Sequence, residues 1–296
     1  MKILRTPEER FENLLDFPYE PKYVVIDDMR IHYVDEGEGE VILALHGEPT
    51  WSYLYRKFIP TLSKNYRFIC LDFPGFGRSD KPSKVKDYTY ELHFGVLIKF
   101  IEQLKLKDIT LVVQDWGGFL GLGALGEYPD WFKRVVIMNT ALPVGEEKMP
   151  FVFKLWKLYA RYHPTFPIGK VVKMGSYRKD SFTDEVLRAY NAPFPSSKYK
   201  AGTRAFPKLV PLKPTDDGVE RLKQARKTLS TWTKPALVLF SDKDPIMRPA
   251  AKFFKELIPT TKNQPKEMIR KAGHFLQEDA GEEISERIEK FIIENP

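Results

Sequence analysis

Between Val41 and Met138, short runs of mostly apolar residues alternate with segments of helical periodicity, and that alternation confines the chain to an α/β architecture. Val41–Leu45, Arg67–Leu71, Ile109–Val113 and Val135–Met138 read as strands of a mostly parallel central sheet, buried beneath flanking helices. Tyr23–Ile26 and Arg30–Val34 read as an opening pair of strands, and Trp51–Leu62, Tyr90–Leu106 and Phe119–Glu127 carry helical spacing. The alternation breaks at Gly145. From there to Thr228 the sequence predicts amphipathic helices and Pro-rich connections such as Asn191-Ala-Pro-Phe-Pro195. It resumes with a strand at Ala236–Phe240, a helix at Ala250–Leu257, a strand at Met268–Arg270 and a helix from Glu282 to Ile293. The expected organisation is therefore a core domain of 1–144 and 229–296 with an inserted helical cap of 145–228.

Val41–Leu45, Arg67–Leu71 and Ile109–Val113 each run into a polar turn that contains glycine. In Gln114-Asp115-Trp116-Gly117 a strand passes directly into a helix, the layout of a nucleophile elbow that pushes one side chain into a cavity. Asp115 as an ordinary N-cap of the following helix is the bland alternative. Asp244, in Phe240-Ser-Asp-Lys-Asp-Pro245, and His274, in Ala272-Gly-His-Phe275, each follow a predicted strand. The order nucleophile, acid, histidine is that of the α/β-hydrolases, and this is the expected fold. Asp242 competes with Asp244 for the acid role; Asp244 is preferred because it directly precedes Pro245. Asn139 also ends a strand, but an amide cannot offset a developing imidazolium.

The identity of the nucleophile limits the chemistry. A serine attacking saturated carbon would leave an ether that water cannot readily cleave, whereas a carboxylate leaves an ester. Aspartate also needs no base to ionise, since its ordinary pKa is about 3.9. His274 is then needed mainly to activate water in a second step. Attack on a carbon bearing halide or on an epoxide fits this division. His46-Gly47-Glu48-Pro49 supplies the opposite wall, where the backbone N–H groups of Glu48 and Trp116 are expected to form an oxyanion hole.

Composition narrows the partners. The net charge is +7, but 145–228 holds 18 Lys and Arg against 8 Asp and Glu, so the whole cationic excess lies in the predicted cap. Those cations are scattered among aliphatics without a nucleic-acid motif, which points to a solvated surface and not to nucleic-acid binding. No apolar run approaches the roughly 18 residues of a membrane span, and the N-terminus has no apolar signal region. Cys70 is the single cysteine and no Cys/His cluster has metal spacing, so neither a disulfide nor a metal is expected. A cytoplasmic setting is the expectation.

His46-Gly-Glu-Pro-Thr-Trp-Ser-Tyr-Leu-Tyr-Arg56, Asp72-Phe-Pro-Gly-Phe-Gly-Arg-Ser-Asp-Lys-Pro82, Val113-Gln-Asp-Trp-Gly-Gly118 and Gly273-His-Phe-Leu-Gln-Glu-Asp279 together resemble haloalkane dehalogenases. The likeness extends into the cap through Ala192–Pro195 and Tyr199–Phe206. It is nearest to the subfamily that holds halide between two tryptophans. The resemblance implies hydrolysis of a small haloalkane with water to alcohol, halide and a proton, with no cofactor. Trp116 matches the first halide-binding tryptophan, and Trp156, the cap's single tryptophan, matches the second. In another subfamily an asparagine after His-Gly supplies the second donor; here that position is Glu48, expected to be ionised and to repel halide. A monomer is expected. An epoxide hydrolase sharing the Asp nucleophile stays open, with cap residues Tyr159, Tyr162, Tyr177 and Tyr190 as candidate acids. A non-catalytic ligand-binding relative is the rival from another class.

Overall fold

A computed structural model describes residues 1–296 except 148–150, 164–165, 263 and 265–267; it leaves out the side chains of Val152, Lys154, Trp156, Arg161 and Tyr162. Its strands are β1 (Ile3–Leu4), β2 (Lys22–Ile26), β3 (Met29–Glu36), β4 (Val41–Leu45), β5 (Arg67–Leu71), β6 (Lys81–Pro82), β7 (Ile109–Gln114), β8 (Phe132–Met138) and β9 (Ala236–Leu239). Its helices are α1 (Ile59–Leu62), α2 (Tyr90–Gln103), α3 (Trp116–Glu127), α4 (Phe151–Tyr162), α5 (Ile168–Gly175), α6 (Asp184–Asn191), α7 (Ala201–Leu209), α8 (Val219–Ser230), α9 (Ala250–Leu257) and α10 (Leu276–Glu294).

The apolar runs pair as their composition requires. Seven strands form one sheet in the order β2-β3-β5-β4-β7-β8-β9, while β1 and β6 make a small separate pair. The β2–β3 hairpin joins antiparallel to β5, and all later neighbours are parallel. Every residue of β7 is buried, as expected for a strand covered on both faces. Each large aliphatic side chain so buried contributes about 1.5–3 kcal/mol.

Register places the chemistry. Leu45 stands beside Leu71 on one side and Val113 on the other, so β4, β5 and β7 end level. The turns that follow therefore crowd one edge, the carboxyl end where open α/β sheets bind ligands.

Three local expectations are corrected. Trp51–Leu62 is not one helix but a 3-10 turn, Ser52–Tyr55, followed by α1. Pro60 lacks an N–H and belongs in a first turn, so regular helix begins only there; upstream, the Ser52 N–H is given to Asp72 Oδ1 at 2.7 Å. Met268–Arg270 is not a strand: only Ile269 bridges to the sheet, opposite Ser241, before the chain turns towards His274. The last helix starts at Leu276 instead of Glu282, with a non-helical break at Ala280.

Within the segment expected to be the cap, residues of α4, α5 and α7 (Phe153, Val171 and Pro207) share a cavity wall with Asp115 and Phe119 of the core. Helix α8 lies instead along α3, where Thr228 Oγ1 donates to the Gly126 carbonyl at 3.0 Å. Among the described residues no helix is long and apolar enough to cross a membrane.

Candidate active site

Asp115 sits between β7 and α3 with φ 50° and ψ −124°, a conformation that L residues rarely adopt. Holding a non-glycine residue there costs on the order of 1–3 kcal/mol. Packing enforces it. A Cβ on Gly117 would lie 2.1 Å from the Leu45 carbonyl oxygen, and one on Gly47 would lie 2.2 Å from Asp115 Oδ1. Both glycines let the turns after β4 and β7 approach closely. The Asp115 N–H donates to Asn139 O at 3.1 Å, and Thr140 Oγ1 donates to Asp115 O at 2.7 Å, fixing the elbow from the β8 side.

The Asp115 side chain makes no capping bond to α3, which removes the N-cap alternative. Its Oδ1 instead accepts the Glu48 N–H at 2.8 Å, and its Oδ2 lies 3.5 Å from His274 Nε2. The sequence-predicted trio is brought together. His274 Nδ1 is 2.7 Å from Asp244 Oδ2, and Asp244 Oδ1 accepts the N–H groups of Ile246 and Met247 at 2.9 and 3.0 Å. Asp242 points elsewhere, accepting the Ala272 N–H at 3.3 Å and lying 3.7 Å from Lys243 Nζ. Asn139 is structural: its amide donates to Ser241 Oγ, Gly273 O and His274 O at 2.8–3.0 Å, joining the ends of β8 and β9 to the histidine loop.

Electrostatics follow from this packing. Burial alone would lower the His274 imidazole, but Asp244, followed by Asp115, outweighs it and raises the pKa from 6.5 to about 10. Burial disfavours the Asp244 charge, yet His274 and the two backbone donors hold that carboxyl below the usual range. The two directions agree, as they must for a mutually stabilising pair. Glu48 sits in surroundings that oppose the ionised form expected of it. Burial, and then the charge of Asp115, push its carboxyl well above the usual carboxylate range, with His274 offsetting only part.

These groups open onto a cavity of about 960 Å³, walled mainly by apolar side chains including Phe119, Leu142, Phe153, Val171, Met247 and Phe253. Glu48, Asp115, Trp116, Asp244 and His274 all contribute to its wall. Trp116 packs at a tilt against Phe119 and Phe206, with ring centroids 4.9 and 4.5 Å away. Trp156 is carried on α4, but its side chain lies outside the described residues. Among the described residues no cluster of three or more His, Cys, Asp or Glu is placed to hold a metal.

A family model for the alpha/beta hydrolase fold matches residues 40–281. The chain is 45% identical to a haloalkane dehalogenase of Psychrobacter cryohalolentis, with 100% of both chains aligned. It belongs to the haloalkane dehalogenase family. A haloalkane dehalogenase of Mycolicibacterium paratuberculosis is 44% identical over 97% of each chain. Among solved structures, a tetrameric haloalkane dehalogenase from Paraglaciecola agarilytica superposes with a TM-score of 0.90, at 37% identity and over 97% of each chain.

As a haloalkane dehalogenase the chain carries two site features that sequence reasoning passed over. Asp279 lies in a quoted motif but received no role. Its carboxylate accepts the N–H of Gly273 and those of Tyr177 and Arg178 at 2.7–2.8 Å, latching the histidine loop to the segment after α5. Gln114 Nε2 lies 3.1 Å from His274 Nε2. Its N–H can donate there only when that ring nitrogen is unprotonated, so this contact favours the neutral imidazole. Its place immediately before the nucleophile was the available signal. Of the tyrosines in the segment expected to be the cap, Tyr159 and Tyr177 line the cavity, whereas the Tyr190 hydroxyl is given to the buried Glu278 carboxylate. The Tyr162 side chain lies outside the described residues.

Proposed function

We propose that this haloalkane dehalogenase removes halide from saturated carbon in two displacements at Asp115. With Oδ1 held by the Glu48 N–H, Oδ2 is the oxygen free to attack the carbon bearing halogen. The bond between carbon and halogen breaks with its electron pair leaving as halide, and an alkyl ester of Asp115 remains. Trp116 offers its indole N–H, a donor without an acceptor, to the departing anion. Trp156 is the matching donor on the strength of the resemblance alone.

In the second step His274 takes a proton from water, which attacks Cγ of the ester. The negative charge then developing on Oδ1 is met by the backbone N–H groups of Glu48 and Trp116. The alcohol leaves with the proton held by His274, and the resulting Asp115 carboxyl loses its own proton to restore the carboxylate. The observation that carries this reading is the Asp115 side chain itself: bonded to the Glu48 N–H, uncapped, and facing an apolar chamber beside His274. Helices α4 to α7 serve as the cap that excludes bulk water.

The base is also timed. In the free enzyme the imidazole is held protonated by Asp244 and Asp115. Alkylation neutralises Asp115 and removes both its charge and its hydrogen bond, so the proton is lost more readily. Because the neutral form is needed, ester breakdown rises with pH, along a limb lying below the free-enzyme value of about 10. Rapid-quench measurement of ester breakdown against pH checks this; a limb at or above that value contradicts it. Asp244→Asn is expected to cut steady-state turnover by about 10³–10⁴-fold, the scale of losing an orienting carboxylate behind a catalytic histidine. The first halide release, which uses no base, should survive, as a single-turnover assay will reveal.

Incubation with 1-bromobutane and, separately, with a terminal epoxide tests the reaction class. Bromide and acid release without diol formation is expected. Diol formation without halide release would reverse the assignment, and tight ligand retention without turnover of either would favour a binding protein.

A further inference from the structure

Every backbone polar group of Gly273 and His274 is taken. The Gly273 carbonyl accepts from Ser241 Oγ at 2.7 Å and Asn139 Nδ2 at 3.0 Å. The His274 carbonyl accepts from Asn139 Nδ2 at 3.0 Å and Gln114 Nε2 at 3.3 Å. These donors stand at or just beyond the ends of β7, β8 and β9. The two N–H groups are held by other parts of the fold. His274 donates its own to Gly175 O at 2.7 Å, and Gly273 donates to Asp279 Oδ2 at 2.8 Å.

Asp279 lies in the first turn of α10 and is only 1% exposed. A carboxylate costs several kcal/mol to bury unless donors surround it. Three backbone N–H groups do so here. Oδ2 accepts from Gly273 and from Tyr177, both at 2.8 Å, and Oδ1 accepts from Arg178 at 2.7 Å. One oxygen therefore bridges the histidine loop and the segment after α5. The two segments also touch closely: a Cβ on Gly273 would lie 2.3 Å from Gly175 O, and one on Gly175 would lie 2.6 Å from Phe275 Cε2. Gly175, Ser176 and Tyr177 line the same cavity as His274. That stretch of wall and the base thus form one backbone unit, with the Asp279 carboxylate as its tie.

We propose that Asp279 is a positioning residue for the hydrolytic half of the reaction. By holding the N–H groups of Gly273, Tyr177 and Arg178, it fixes where the His274 ring stands beside Asp115. Attack of water on the ester then depends on Asp279, and the first displacement does not. This role, which rests on the reading of the cavity as a dehalogenation site, involves no contact with substrate or with the reacting atoms. The charges that hold the imidazole proton are those of Asp244 and Asp115; Asp279 acts on the loop backbone. A displacement of about 1 Å in a catalytic group can cost about 10²-fold in rate. The nucleophile is insulated from such a displacement, because Asp115 is held separately by the Glu48 N–H, by Asn139 and by Thr140.

Asp279→Asn keeps the size of the side chain but turns one oxygen into a donor, so at least one of the three N–H groups loses its acceptor. Single-turnover mixing with 1-bromobutane reads the two steps separately, as halide release and as decay of the alkyl-enzyme. Halide release is expected within about threefold of the unaltered enzyme, and ester breakdown slower by about 10–100-fold. A residue that only stabilises the fold would lower the denaturation midpoint and leave the two rates of the folded protein in their original ratio. That result overturns the proposal. Arg178→Pro is a second arm, and decides the matter if Asp279→Asn does not fold. Arg178 is exposed, is not part of the cavity wall and has φ −81°, close to the angle proline imposes. The substitution therefore deletes one N–H from the tie and leaves every cavity side chain in place. It should shift the ratio in the same direction by about three- to tenfold, the scale of one hydrogen bond; an unchanged ratio overturns the proposal. Absence of halide release from the unaltered enzyme would instead overturn the dehalogenation reading beneath it.

Discussion

A His274→Phe variant releases one halide per active site and then stops. The attack on carbon is made by a carboxylate that needs no base, so removal of the imidazole leaves the first displacement in place. Hydrolysis of the resulting ester does need a base, because water between His274 Nε2 and Asp115 must lose a proton as it attacks Cγ. Loss of that base lowers steady-state turnover by up to about 10⁴-fold. The stalled protein should gain the mass of one alkyl group on the peptide containing Asp115. Rapid mixing with 1-bromobutane, followed by halide detection and peptide mapping, reads both signals. An absent burst with a correctly folded protein would mean that the imidazole serves the first step, contrary to the roles assigned here.

The second large effect concerns stability. Arg56 and Glu278 are almost wholly buried, 3% and 1% exposed, and face each other through a two-pronged ion pair. Burial opposes the Arg56 charge, but Glu278 outweighs it and holds the guanidinium above its ordinary value. Tyr190 of α6 donates to the same carboxylate, and Arg56 lies 4.3 Å over the Tyr53 ring. This cluster ties the Ser52–Tyr55 turn to the start of α10, just beyond His274, and to α6. Arg56→Met leaves a buried carboxylate uncompensated and is expected to cost about 3–5 kcal/mol. Adding Glu278→Leu should recover most of that loss, short of the roughly 1–3 kcal/mol for the stranded Tyr190 hydroxyl. Chemical denaturation of the single and double variants provides the comparison. A double variant as unstable as the single one would show that packing, not the unpaired charge, sets the cost.

The sheet was legible where composition and punctuation agree. Val41–Leu45 and Arg67–Leu71 are read to the residue because each is closed by a polar turn that cannot continue a buried strand. Met268–Arg270 has the same local look, yet pairing reaches only Ile269, since the chain must leave the sheet early to carry His274 to Asp244. Trp51–Leu62 has helical spacing, but Pro60 and the bond from Ser52 to Asp72 divide it. Spacing reports which side chains face the core and not which backbone donors are claimed by distant residues.

The candidate site was legible as a set of residue types and not as a charge state. Asp115, Asp244 and His274 are picked out by strand ends and chain order, and the preference for Asp244 over Asp242 agrees with which carboxylate reaches the imidazole. The upward push on the Glu48 carboxyl was beyond reach because it depends on burial and on Asp115, which lies 67 residues further along the chain. Asp279 escaped for a similar reason: its latch to Tyr177 and Arg178 spans about a hundred residues and leaves no local pattern.

A single turnover in water enriched in heavy oxygen tests the ester at Asp115 most directly, with enzyme in excess over 1-bromobutane. If the carboxylate attacks carbon and water then attacks Cγ, the first alcohol carries ordinary oxygen taken from Asp115, and the label appears in the Asp115 carboxylate. Labelled alcohol from the first turnover, with Asp115 unlabelled, would mean that water reached carbon directly and that the carboxylate was never the nucleophile.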